Sequence, residues 1–193
     1  ARNVADVIKQ PFTQTLGTSN YRAGVNAGNS IASGGNYNVT VGDEAGTALT
    51  DADGNVAVGY LALSTDTKGS YSVAIGRRAL LTQNFTTSTN ALNVAVGTNA
   101  GAEITIGTDN TLIGTSSGDA LTDADFNVAL GSFALSADTL GSKSVAIGYT
   151  ALSVQNFTTA TDTYNTAVGY NAGTAVTTGV NNTLIGGLAG DAL

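Results

Sequence analysis

The sequence predicts an all-β chain: a parallel β-solenoid of about ten coils, 17 to 21 residues each, preceded by a short arm that does not repeat. Three observations predict it. Glycines recur at fixed phase (Gly24, Gly42, Gly59, Gly76, Gly97, Gly114, Gly131, Gly148, Gly169 and Gly186), at a near-constant interval that lengthens markedly only before Gly97 and Gly169. Second, the stretch from Leu49 to Gly76 returns, lightly varied, as Leu121 to Gly148, so four coils make one super-repeat. Third, each motif glycine follows a short alternating phrase such as Val56-Ala57-Val58, which has strand periodicity.

Residues 1–19 stand outside the repeat and hold the single proline, Pro11. Val4, Val7 and Ile8 share one helical face behind Asn3 as N-cap. The arm reads as an end cap or as an assembly arm, because an open solenoid end exposes apolar surface and unpaired strand groups. Residues 20–193 form the solenoid domain.

Within each coil the strand comes first, since β-branched residues suit a pleated surface. The glycine after it supplies a conformation that a side chain resists. Alanine three residues later (Ala62, Ala79, Ala100, Ala134, Ala151, Ala172, Ala189) predicts a second, closely spaced strand. Equivalent residues of adjacent coils become strand neighbours. Asn38, Asn55, Asn93, Asn110, Asn127, Asn165 and Asn182 therefore form a ladder, with Ser72 and Ser144 in its gaps. At roughly 4.8 Å per strand the stack is about 48 Å long.

The face opposite the Val and Ile residues is also apolar: Ala57, Ala74, Ala95, Leu112, Ala129, Ala146, Ala167 and Leu184, with Thr40 as the polar exception. Taking the Val/Ile face as the coil interior, this second face points outward and needs cover from another chain, which predicts lateral self-association. The long coils carry QNFTTST at Gln83–Thr89 and QNFTTAT at Gln155–Thr161. Insertions at one phase form loops on one face, which makes Phe85 and Phe157 candidate surface-binding residues. The last coil reaches Leu193, the equivalent of Leu121. That places Leu184, Leu188 and Leu193 at an open stack end, where Val4, Val7 and Ile8 of another copy are expected to dock head to tail.

Composition narrows the chemistry. Histidine and cysteine are absent, which removes the usual general base, the thiol nucleophile and the commonest metal ligands, so no enzymatic activity and no cofactor are expected. The pairs Asp51/Asp53 and Asp123/Asp125 lie in repeated turns, and their duplication from one super-repeat to the next argues against a single carboxylate-pair active site. Those turns lack calcium-loop spacing and read as solvated Asx turns. Sequons start at Asn38, Asn84, Asn156 and Asn181. A net charge of −7 with no basic stripe excludes nucleic acid as the expected partner. No apolar run approaches the roughly 18 residues of a membrane span, so no membrane insertion is expected.

The phrases NVAVG, SVAIGRRAL and SVAIGYTAL resemble the head repeats of YadA-type trimeric autotransporter adhesins. NTAVGYNAG and NTLIG are similar to related repeats of bacteriophage tail fibres and bacterial surface fibres. The resemblance covers about residues 20–193. It implies a left-handed β-roll, three chains per fibre, and display outside the cell or on a virion. The expected function is a non-enzymatic structural subunit of an extracellular fibre, with itself as partner. The alternative is a receptor-binding module whose partner is a cell-surface receptor or glycan.

Overall fold

A computed structural model describes residues 17–192. The strands are β1 (Tyr21–Ala23), β2 (Val39–Val41), β3 (Val56–Val58), β4 (Gly69–Ser70), β5 (Val73–Ile75), β6 (Thr89–Asn90) and β7 (Val94–Val96). They continue as β8 (Thr111–Ile113), β9 (Val128–Leu130), β10 (Gly141–Ser142), β11 (Val145–Ile147), β12 (Thr161–Asp162), β13 (Thr166–Val168) and β14 (Thr183–Ile185). Ten of them form one sheet in the order β1-β2-β3-β5-β7-β8-β9-β11-β13-β14. Every pairing is parallel and couples equivalent residues, as in Ala57↔Ala74 and Ala129↔Ala146. The chain is a parallel β-solenoid of ten coils.

The two long coils do not disturb this register. Val73 pairs with Val94 and Val145 with Thr166, although the chain between each pair is longer than in any other coil. The surplus is absorbed outside the main sheet, where β4 pairs with β6 and β10 with β12.

The alanines expected to form a second strand line a turn instead. Ala62 N donates to Gly59 O at 3.2 Å, closing the turn, and the side chain is fully buried. Hydrogen bonds between coils still run through this turn, such as Leu63 N to Ala79 O at 2.9 Å. The bends between segments rely on left-handed backbone. Gly59 has φ 130°, and a Cβ there would sit 2.7 Å from the Gly76 carbonyl carbon of the next coil. Two residues further on, every coil has a left-handed residue without glycine, from Asn26 to Leu188. Each costs about 1–2 kcal/mol. Bonds such as Arg78 N to Tyr60 O at 2.9 Å hold them there.

The interior corrects the sequence reading of the faces. Ala57, Ala74, Ala95, Leu112, Ala129, Ala146 and Ala167 are all fully buried within one chain, and Leu184 in the last coil packs against them. They point inward, and the Val and Ile residues beside them point out. The coil is too narrow for two large side chains per strand. A methyl group suffices because other side chains fill the space from the far walls.

Those side chains follow a four-coil rule. Four and seven residues after the motif glycine, successive coils read Gly46/Leu49, Leu63/Asp66, Leu80/Gln83 and Gly101/Ile104, and the cycle returns as Gly118/Leu121, Leu135/Asp138, Leu152/Gln155 and Gly173/Val176. Glycine at the first position makes room for an aliphatic side chain at the second. A Cβ on Gly101 would lie 2.8 Å from Leu112 Cδ1 and 3.1 Å from Ile104 Cδ1. Where leucine occupies the first position, the second is polar yet still fully buried.

The asparagine ladder is present and does more than stack. Along it, Oδ1 accepts a backbone N–H of the next coil while Nδ2 donates to a carbonyl further along its own coil. Asn127 receives Ser144 N at 2.9 Å and donates to Gly141 O at 3.0 Å. Asn38, Asn55, Asn93, Asn110 and Asn165 are likewise fully buried. At Ser72 the ladder lacks an amide, and Gln83 replaces it. Its Nε2 reaches Ser72 Oγ at 3.2 Å, and its Oε1 accepts Asn93 Nδ2 at 2.9 Å. The same Nε2 donates to Asp66 Oδ2 at 2.6 Å. Asp66 Oδ1 accepts Gly69 N and Phe85 N, so the buried carboxylate is fully occupied. Gln155, Asp138, Ser144 and Asn165 repeat the arrangement.

The first coil closes differently. Arg22 stands where later coils have Thr40, alanine or leucine, and its Nε donates to Ala27 O at 2.5 Å. Burial pushes its guanidinium below the ordinary arginine value.

Candidate assembly surface

Each strand of the main sheet sends its first and third side chains outward. The third-position column reads Ala23, Val41, Val58, Ile75, Val96, Ile113, Leu130, Ile147, Val168 and Ile185, and it is aliphatic throughout. The first-position column opens with Tyr21 and then holds only valine or threonine as far as Thr183. None of these side chains is buried, and Ile75 and Leu130 remain 39% and 45% exposed. Neither column contains a charged residue.

The two super-repeats show which exposed positions are free to change. Turn residues exchange character without restraint: Tyr60 becomes Ser132, Arg77 becomes Tyr149, Lys68 becomes Leu140 and Tyr71 becomes Lys143. The outward strand positions do not. Val56, Val73, Ile75, Val96, Thr111 and Ile113 recur unchanged, Val58 becomes Leu130, and Val94 becomes the isosteric Thr166. Strand propensity alone would accept threonine in either column, yet the third-position column never uses it.

Aromatic residues border this face. All seven tyrosines are exposed. Tyr37, Tyr71, Phe126 and Tyr164 immediately precede a ladder residue, Tyr60, Tyr149 and Tyr170 immediately follow a motif glycine, and Phe133 lies two residues after Gly131. Phe133 meets Tyr149 edge-on at 6.4 Å, and Tyr149 stacks on Tyr170 at 5.5 Å. Lys143 pairs with Asp162 at 2.5 Å and lies 5.3 Å from the Tyr164 ring. The Asp162 hydrogen bond raises the Lys143 ammonium above its ordinary value, and Lys143 lowers the Asp162 carboxyl.

No family model, curated protein or solved structure matches the chain.

Phe85 and Phe157 are only 5% and 7% exposed. A Cβ on Gly69 would lie 2.7 Å from Phe85 Cδ2, so the ring lies over the glycine of the preceding coil and offers nothing to a partner. The exposed part of that loop is Thr86, Thr87 and Ser88. Leu188 is 51% exposed in the last described coil, and a Cβ on Gly186 would meet nothing within 4 Å. Val4, Val7, Ile8 and Leu193 lie outside the described residues. Asn38 is buried in the ladder and closed to a glycan, whereas Asn84 is half-buried with Oδ1 accepting Thr67 Oγ1. Asp53 and Asp125 bridge coils by accepting Asn36 N and Thr108 N, each at 2.7 Å. Among the described residues no three His, Cys, Asp or Glu side chains gather as a metal site. No described helix is long and apolar enough to cross a membrane.

Sequence reasoning missed Asp66 and Gln83. Their signal was present, because Gln83 and Asp66 hold the same phase as Leu49 and Ile104, a phase whose other occupants are core residues.

Proposed function

We propose that this chain is a non-enzymatic structural rod that builds a fibre outside the cell or on a virion. Copies associate laterally through the outward face of the main sheet and continue lengthwise by coil stacking. The observation that carries this reading is the uncharged aliphatic column, kept across both super-repeats while neighbouring exposed positions vary. The likeness of the repeats to those of adhesin heads and tail fibres supports display on a surface.

A second copy is the partner that the dimensions favour. A face about 48 Å long and three residues, about 10 Å, wide gives on the order of 500 Å² per copy and 1,000 Å² per pair. That reaches the lower bound for a specific interface before the aromatic borders are counted. A sheet face packs on another sheet face at about 10 Å, and this chain supplies a partner of identical period. The receptor-binding alternative loses Phe85 and Phe157 as contact residues.

Sedimentation velocity of the double variant Ile75→Lys/Leu130→Lys tests the proposal. The expected outcome is a folded monomer by circular dichroism, from a parent that sediments as an oligomer. A parent that is monomeric at all concentrations, or a double variant that keeps the oligomer, overturns it.

A further inference from the structure

Of the four buried side-chain polar atoms without a hydrogen-bond partner among the described residues, three belong to one place. They are Arg78 Nε, Asn99 Oδ1 and Asp119 Oδ1. Their residues line a cavity of about 250 Å³ together with Glu103, Ser136 and two alanines. Four consecutive coils contribute to it. The three side chains converge on one space without bonding each other through these atoms, which sets the place apart from the hydrogen-bonded ladder.

Charges of both signs face this space without pairing. The ion pair among the described residues is Lys143 with Asp162, and Arg78 approaches neither Glu103 nor Asp119 closely enough to form another. Coil geometry keeps them apart. Arg78 sits in the left-handed bend two residues after Gly76, whereas Asp119 lies two coils on, about 10 Å along the axis, and past the bend.

The second super-repeat solves the same position internally. Thr150 replaces Arg78, and its hydroxyl donates to Asn171 Oδ1, the equivalent of the oxygen that Asn99 leaves unsatisfied. Ala175 replaces Glu103 there. The first super-repeat has thus exchanged a closed hydrogen bond for opposed charges across a cavity.

We propose that this cavity binds a small zwitterion of the α-amino acid class, its carboxylate on the Arg78 guanidinium and its ammonium among the oxygens of Asp119, Glu103 and Asn99. An ammonium has three donors, and the site offers three acceptor groups against one guanidinium. Both ends of the ligand form charge-assisted bonds, about twice as strong as neutral ones. No aromatic ring lines the cavity, so the ring contact that a saccharide favours is missing. Burial raises the Asp119 carboxyl above its ordinary value, against the pull of the Ser116 hydroxyl, and a bound ammonium would relieve that burial cost.

The test is an amide-resolved NMR titration of the full chain with glycine, glycine methyl ester, N-acetylglycine and glucose. Glycine should give saturable shifts at Ala102 and Ala120, with both single-charge analogues and glucose weaker by about tenfold or more. Arg78→Thr and Glu103→Ala install residues that the second super-repeat already carries, so both variants should keep the circular dichroism of the parent. Each should weaken glycine by about tenfold. The proposal is overturned if glycine shows no saturation at about 100 mM, where even a very weak site fills. It is equally overturned if an analogue or glucose matches glycine, or if Arg78→Thr binds unchanged.

Discussion

Gln83 Nε2 donates to Asp66 Oδ2 at 2.6 Å across one coil step, with both side chains fully buried. The pair lies inside a stack whose other walls are alanine and leucine, and Ser72 and Asn93 depend on it for their remaining hydrogen bonds.

Gln83→Leu should therefore cost far more than its loss of one amide suggests. It strips a donor from a buried carboxylate and leaves Asn93 short of an acceptor, so a loss of about 3 kcal/mol is expected. Urea denaturation, read with unchanged slope, measures it. A cost below about 1 kcal/mol would show that water or a side-chain shift replaces the amide.

Ala129→Glu and Leu130→Lys, adjacent in sequence, should behave as opposites. The first places a charge in a fully buried position with no partner and should abolish the cooperative fold. The second sits on the outward face and should leave the fold standing while the oligomer weakens. Thermal circular dichroism and sedimentation on the same samples separate the two effects.

Thr40 Oγ1 is buried without a hydrogen-bond partner in a column otherwise filled by alanine and leucine beyond the first coil. Thr40→Val keeps the shape and removes the unsatisfied hydroxyl, which should raise stability by about 1 kcal/mol. A denaturation midpoint that falls would mean that the hydroxyl has a partner in solution.

Asp119 gives a pH prediction. Its carboxyl is raised in the fold, chiefly by burial, above the ordinary 3.8, so the folded chain binds the proton more tightly than the unfolded one. Its ionised form destabilises the fold above the raised value, and that cost disappears as pH falls towards 3.8. Asp119→Asn should flatten this part of the stability–pH curve. An identical curve for variant and parent would exclude Asp119 as its source.

Periodicity alone was enough to read the solenoid, its coil count and the asparagine ladder, because each depends on residues returning at the same phase. Which strand face is inside was not legible in the same way. Val-Ala-Val alternation defines two faces but does not orient them, and by size the larger side chains are the better core. The decision rests with Leu63 and Ile104, which enter from other walls and leave room for only a methyl at Ala57 or Ala95. The Phe85 ring was misplaced for a related reason. A loop insertion normally faces water, but the bare Gly69 of the coil before offers the ring a dry seat.

The four-coil cycle of the core also limits how such a chain can change length. Removing only one of the two coils that hold Asp66 and Gln83 would set an aliphatic layer where Gln83 needs Asp66, or strand an acid without its amide. Removing four consecutive coils returns every layer to the neighbour it had. A step of one whole cycle, about 19 Å at the strand spacing, is thus the length change that recombination between the two super-repeats makes without altering any layer's neighbours. A cut between the acid and amide coils is the one that folding would reject before selection on function begins.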